Sequence, residues 1–230
     1  VTNSKSRGTW DLDRRRLYLC TPDRPDLHTF VEQCIVGGVD VVQLRDKHLP
    51  DTPLLERAAL LQQICADHHV PFILNDRPDL AAAIGADGVH VGQEDMAPSD
   101  ARALLGEEAI IGLSTHAVDD LKAAVVESSI DYISAGPVSP TPTKPGRPGT
   151  GLGYVRQAVS AAPWSVWITG GVDPSTIPAM AAAGARHFVV VRWLTQAEDP
   201  KVRARALRQA IDEAIAETES ASPGSESSER

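Results

Sequence analysis

The sequence predicts an α/β chain folded as one single-domain (β/α)8 barrel, and three observations carry that prediction. Eight short runs rich in Val and Ile recur from Leu17 onward, amphipathic stretches separate them, and polar residues gather after the runs rather than before them. Short apolar runs alternating with helical patterns are the mark of buried parallel strands with covered faces. An open doubly wound sheet uses the same alternation, and the count of eight favours closure. The one-sided polar distribution matches a barrel, which builds its active site at the C-terminal ends of its strands.

In chain order, the strands are expected at 17–21, 39–45, 71–75, 88–92, 110–114, 132–136, 166–169 and 187–191. Helical periodicity is clearest at 53–69, 117–127, 174–183 and 200–217. Gly37-Gly38, Gly85 and Gly184 each stand just before a strand, where a helix ends on a residue that tolerates positive φ. Residues 1–13 read as an N-terminal extension, 14–216 as the barrel, and the Ser/Glu-rich 217–230 as a disordered tail.

With 22 basic against 31 acidic residues the net charge is −9, which argues against a nucleic-acid footprint. No stretch reaches the ~20 apolar residues of a membrane span, and the polar start carries no secretory h-region. Cys20, Cys34 and Cys65 have neither zinc nor disulfide spacing and read as reduced cytoplasmic thiols. The expected partners are small phosphorylated molecules, with no nucleic acid and no membrane; a homo-oligomer is compatible with the sequence.

Alternation along the second strand puts Gln43, Arg45 and Lys47 on one face and Val42 and Leu44 on the other. Inward cations need water or an anion to meet them, and a diphosphate suits an Arg fork and a Lys point charge. The bland alternative is a solvated edge strand, which a closed barrel scarcely has. Asp76 and Asp95, after the third and fourth strands, suit Mg2+, which takes one or two carboxylates plus phosphate oxygens and water. Glu94 competes with them, whereas Asp87 precedes its strand and belongs to the opposite, stability face. Asp76 has a second reading, as a helix N-cap ahead of Pro78. Asn75 adds a neutral donor and acceptor, and Ser114-Thr115-His116 either caps a helix or meets a phosphate.

The connection 136–149 is long, and such loops often act as lids. Its Thr141, Thr143 and Lys144 form a phosphate-gripping set, the alternative being a plain surface loop. Gly170-Gly171 and Val191-Arg192 stand where barrels often build a phosphate cradle from backbone N–H groups.

Together these segments resemble thiamine-phosphate synthases over residues 17–200. The stretches carrying the resemblance are QLRDK (43–47), ND (75–76), DGVHVGQED (87–95), GLSTH (112–116), GPVSPTPTK (136–144), TGG (169–171) and the end of the last strand (189–195). The resemblance implies condensation of hydroxymethylpyrimidine diphosphate with a thiazole phosphate, or its carboxylated form, releasing pyrophosphate. Gln43, Arg45, Lys47 and Asn75 would bind the pyrimidine diphosphate, Ser114 its pyrimidine and Lys144 its diphosphate. Asp76 and Asp95 would hold Mg2+, while Thr141, Thr143, Gly171, Val191 and Arg192 would hold the thiazole phosphate. Arg45, Lys47 and Lys144 would act catalytically by neutralising the departing diphosphate. One departure stands out: the family commonly has Ser where this chain has Arg192. The rival readings are a thiazole tautomerase of the same fold, another phosphate-binding barrel such as a sugar-phosphate isomerase, and a non-catalytic barrel that senses thiazole phosphate.

Overall fold

A computed structural model describes residues 10–21, 23–141, 146 and 148–221. Eight parallel strands close into a barrel in sequence order: β1 (Leu17–Cys20), β2 (Val41–Leu44), β3 (Phe72–Asn75), β4 (Gly88–Val91), β5 (Ile110–Thr115), β6 (Tyr132–Ala135), β7 (Ser165–Ile168) and β8 (His187–Val190). Pairing of Leu17 with Phe188 and of Leu19 with Val190 joins the last strand to the first. Every expected strand is present within two residues of its expected ends. The helices are α1 (Leu27–Val36), α2 (Asp51–Asp67), α3 (Pro78–Ile84), α4 (Pro98–Leu105), α5 (Val118–Val125), α6 (Gly151–Ala161), α7 (Ile177–Ala182), the single turn α8 (Arg192–Thr195) and α9 (Pro200–Ser220).

Strand alternation divides the apolar residues into two cores. Leu17, Leu19, Val42, Leu44, Phe72, Leu74, Val89 and Ile111 point outward and pack under the helices. Tyr18, Val41, Ile73, Ile110, Tyr132 and Trp167 point inward and fill the lower barrel, with Leu12 closing it from below. Gly112 makes room inside: a Cβ there would stand 2.0 Å from the Tyr132 ring. Above the apolar layer, the inward positions become polar at Gln43, His90, Ser114 and Ser134, all buried.

The packed region exceeds the expected bounds at both ends. Leu12, placed by sequence in the extension, is buried, and the Trp10 indole N–H donates to Asp87 (2.9 Å). At the other end α9 continues to Ser220, because Ile211, Ala214 and Ile215 keep its apolar face against the barrel. The rest of the expected tail, 222–230, lies outside the described residues.

The lower rim is stitched by a repeated device. Asp40, Asp87 and Asp131 each stand immediately before a strand and accept from the opening backbone N–H groups of the preceding one. Asp40 takes Leu17 (2.9 Å), Asp87 takes Phe72 (2.8 Å) and Asp131 takes Ile111 (2.7 Å). Asp87 thus lies on the stability face, as its position in the sequence implied. Nearby His187 is buried with its Nδ1 donating to the Arg15 carbonyl (2.6 Å), and burial pushes its imidazole down to about 4. The unfolded chain takes up that proton near pH 6.5, so stability is present above that pH and is lost as pH falls towards about 4. Urea titrations of wild type and His187→Gln should therefore converge by about 3 kcal/mol between pH 7 and pH 4; a constant gap would show that His187 is not held neutral.

Candidate active site

The strand ends at the upper rim enclose two adjoining cavities of about 540 and 210 Å3. The larger is lined by Gln43, Arg45, Lys47, Asn75, Asp76, Asp95 and Ser114, so seven residues singled out in the sequence share one site. The smaller is lined by Thr141, Gly171, Val191 and Arg192. Thr169, Val189 and Val191 line both, so the two spaces meet across a common wall. Thr143 and Lys144 lie outside the described residues.

β2 stops at Leu44, which corrects the expectation that Arg45 and Lys47 extend along the barrel axis. They stand on the turn above it: Arg45 is half-buried, and the Lys47 side chain is 47% exposed. Water at the rim lowers the cost of two cations that the axis would not tolerate. The turn is fixed by Asp46, whose carboxylate accepts from the His48 and Leu49 N–H groups (both 3.1 Å) and pairs with Arg57 (3.1 Å).

Asp76 adopts φ +60°, a left-handed conformation that is uncommon outside glycine and costs free energy. Its N–H donates to the His90 carbonyl (2.8 Å), and its carboxylate meets Lys47 Nζ at 2.7 Å. α3 begins at Pro78 with Arg77 in the cap position and no side-chain cap bond, so the capping alternative for Asp76 is not realised. Asp95 closes the next turn by accepting from the Gly92 N–H (2.7 Å), and a Cβ on residue 92 would stand 2.9 Å from that carboxylate.

The two carboxylates act on each other and are shifted apart. Burial acts to raise Asp76, but hydrogen bonds from Lys47 and Asp95 hold it below the usual carboxylate range. Burial and the Asp76 carboxylate push Asp95 up, against the Gly92 N–H. Two acidic groups side by side at the mouth of a polar cavity suit a divalent cation, which satisfies both without a shared proton. Among the described residues no group of three or more His, Cys, Asp or Glu is placed to hold a metal ion, so such an ion would draw its remaining oxygens from substrate and water.

The floor of the larger cavity holds groups to which the sequence reading gave no role. Tyr18, His90 and Tyr132 connect Gln43 on one side to Ser114 on the other through hydrogen bonds of 2.9 Å. The only signal in the sequence was a side chain with polar atoms at an inward strand position, which reads equally well as core filling. His116 lines the cavity wall and donates from Nδ1 to the Gly136 carbonyl (2.5 Å), tying the β5 end to the root of the long connection.

In the smaller cavity Gly170 and Gly171 have φ of +88° and +79°, and a Cβ on Gly170 would stand 2.4 Å from Pro137. Only glycine lets the backbone follow this path and still face the cavity. Arg192 lines the rim with its side chain exposed, while Trp193 packs beneath Arg203 of α9 at 4.5 Å. Arg192→Ser should therefore change the Michaelis constant for a phosphate ligand of this cavity by less than about tenfold, or ~1.4 kcal/mol. A larger rise confined to that ligand would mean that the guanidinium itself grips the phosphate.

Comparison with known proteins agrees in family and in fold. Residues 17–194 match the family model described as thiamine monophosphate synthase. A thiamine-phosphate synthase of Thermobifida fusca is 43% identical over 209 residues, covering 89% of this chain and 96% of the relative. One of Thermus thermophilus is 45% identical over 204 residues, covering 85% and 97%. Among solved structures, a thiamine phosphate pyrophosphorylase from Pyrococcus furiosus superposes with a TM-score of 0.82 at 28% identity, covering 89% of this chain and all of that one.

Proposed function

The chain belongs to the thiamine monophosphate synthase family, and from that premise we infer that it joins a pyrimidine diphosphate to a thiazole phosphate, forming thiamine phosphate and releasing pyrophosphate. The observation that carries this reading is the pair of cavities with a common wall, one polar and lined by both cations and carboxylates, the other bounded by glycine backbone. Two substrates seated in them would meet across Thr169, Val189 and Val191.

In the reaction a C–O bond from the pyrimidine methylene to diphosphate breaks, and a bond from that carbon to the thiazole nitrogen forms. None of the lining residues is placed as a covalent nucleophile in this reading. Arg45 and Lys47 would bind the diphosphate and neutralise the charge that develops as it leaves, with Lys144 joining them from the long connection. Gln43, Asn75 and Ser114 would orient the pyrimidine side, and Thr141, Thr143, Gly171, Val191 and Arg192 the thiazole phosphate. Asp76 and Asp95 would hold Mg2+, which supplies further charge neutralisation to the leaving group. The electron-rich aminopyrimidine favours a dissociative path, and excluding water protects the cation it creates.

A cytoplasmic location belongs to the same proposal. It is supported by three buried cysteines, none in a disulfide among the described residues, where no helix is long and apolar enough to cross a membrane.

Following thiamine phosphate and pyrophosphate together, with both substrates and Mg2+ supplied, tests the reading. Equimolar appearance supports it, whereas binding of thiazole phosphate without turnover would leave a sensor. Arg45→Ala should then lower kcat/KM for the pyrimidine diphosphate by about 2–4 kcal/mol of transition-state stabilisation in a stable, folded protein. Unchanged kinetics in Arg45→Ala and Lys47→Ala would remove the diphosphate from this turn.

A further inference from the structure

A single file of hydrogen bonds crosses the barrel beneath the larger cavity. Cys20 Sγ donates to Gln43 Oε1 (3.2 Å), and Gln43 Nε2 donates to the Tyr18 hydroxyl (2.9 Å). The Tyr18 and Tyr132 hydroxyls are 2.9 Å apart, and Tyr132 is 2.9 Å from His90 Nδ1. His90 Nε2 completes the file 2.9 Å from Ser114 Oγ, beside Ser134. Burial pushes both tyrosines up, so each hydroxyl keeps its hydrogen.

An amide nitrogen donates and does not accept. With Gln43 in this orientation, the Tyr18 oxygen accepts from it and passes its own hydrogen to Tyr132, which passes its hydrogen to His90. An imidazole that accepts at Nδ1 is neutral and carries its hydrogen on Nε2. That nitrogen therefore donates to Ser114, whose own hydroxyl hydrogen is turned to the cavity.

We propose that Tyr18, Tyr132 and His90 are positioning residues that set the donor direction at both ends of this file, so that Gln43 presents an N–H and Ser114 an O–H to a neutral ring bearing acceptor atoms. The identity of that ring as the pyrimidine rests on the synthase reading above. The direction of the file does not, because it follows from the orientation of the Gln43 amide between Cys20 and Tyr18. Reversing every bond gives the competing arrangement, in which His90 carries its hydrogen on Nδ1 and Ser114 becomes an acceptor from the ring. The file thus acts as a specificity device: one tautomer favours acceptor atoms on the ring, the other favours donors.

The test is 15N NMR of histidine-labelled full-length protein, with His90 assigned by the resonance lost in His90→Gln. The expected result is protonated Nε2 and bare Nδ1; protonated Nδ1 would overturn the proposal whether or not the enzyme turns over. Kinetics supply the second arm. His90→Gln keeps a donor towards Ser114 and an acceptor towards Tyr132, whereas His90→Leu keeps neither. Turnover of the glutamine variant should exceed that of the leucine variant at least tenfold, and equal losses in both would reduce His90 to packing. Tyr132→Phe, which keeps the ring, covers the case in which His90→Leu does not fold. It should raise the KM for the pyrimidine diphosphate severalfold and leave that for thiazole phosphate in place. A KM unchanged for both substrates would overturn the role of the file. Inactivity of the wild-type chain towards both substrates would instead overturn the synthase reading, and the tautomer would still decide the direction.

Discussion

Replacing either Asp76 or Asp95 with Ala is expected to leave a folded barrel with turnover lowered by two orders of magnitude or more, about 3 kcal/mol in transition-state stabilisation. Both residues stand on turns beyond the strands, where half-buried Asp76 serves Lys47 and more open Asp95 serves the Gly92 N–H. Asp76→Ala keeps a Cβ at φ +60° and gives up the Lys47 contact, so its melting temperature should fall modestly without unfolding the barrel. Asp95→Ala loses one turn bond and should soften that turn without unfolding the barrel. Steady-state kinetics against Mg2+ concentration, with circular dichroism as the folding control, checks both. EDTA should abolish wild-type activity and added Mg2+ should restore it. Activity untouched by EDTA would end the metal assignment whatever the variants do.

Asp131→Ala is expected to lose about 3–5 kcal/mol of stability, the usual penalty for stripping one partner from a buried ion pair. Arg102 and Asp131 are 2.6 Å apart with side chains only 7% and 10% exposed. The same guanidinium also donates to the carbonyls of Gly106 (2.9 Å), Ala109 (2.6 Å) and Ser129 (3.1 Å), binding α4 to the entries of β5 and β6. Without the carboxylate the cation stays buried, and the Ile111 N–H loses its acceptor. The melting temperature should fall by roughly 10 °C for a domain of this size. Asp131→Asn, which keeps an acceptor for Ile111, should lose less. Because the pair lies at the lower rim, kcat/KM measured well below the transition should match wild type. A loss under about 1 kcal/mol would show that water replaces the carboxylate there.

Much of the architecture was legible residue by residue. Each of the eight strands is where its apolar run placed it, because a β-strand buried on both faces needs apolar side chains at consecutive positions. Helices were legible in proportion to their periodicity. Length did not decide it: α2, α9, eight-residue α5 and six-residue α7 were read from their patterns, whereas ten-residue α1 and eleven-residue α6 were not. The clustering of Gln43, Arg45, Lys47, Asn75, Asp76, Asp95 and Ser114 was legible as well, since parallel strands bring all their C-terminal ends to one rim. Tyr18, His90 and Tyr132 were not. Within a strand run an aromatic or a histidine reads as filling, and only its inward register on three different strands gives it polar neighbours.

By itself the sequence determined what is local: which segments are strands, which positions face inward, and which end of the barrel carries charge. Local rules suffice there because alternation and breaker residues act over a few positions. The tertiary structure decided how those groups meet. Closure of β1 on β8, with Tyr18 opposite Val41 on one side and Val189 on the other, brings hydroxyls from β1 and β6 within 2.9 Å across 114 positions. It also stopped β2 at Leu44, turned Asp76 left-handed against Lys47, and packed Leu12 under the barrel. Those outcomes depend on strand stagger and on the space that remains when every side chain is in place, and a one-dimensional pattern does not encode either.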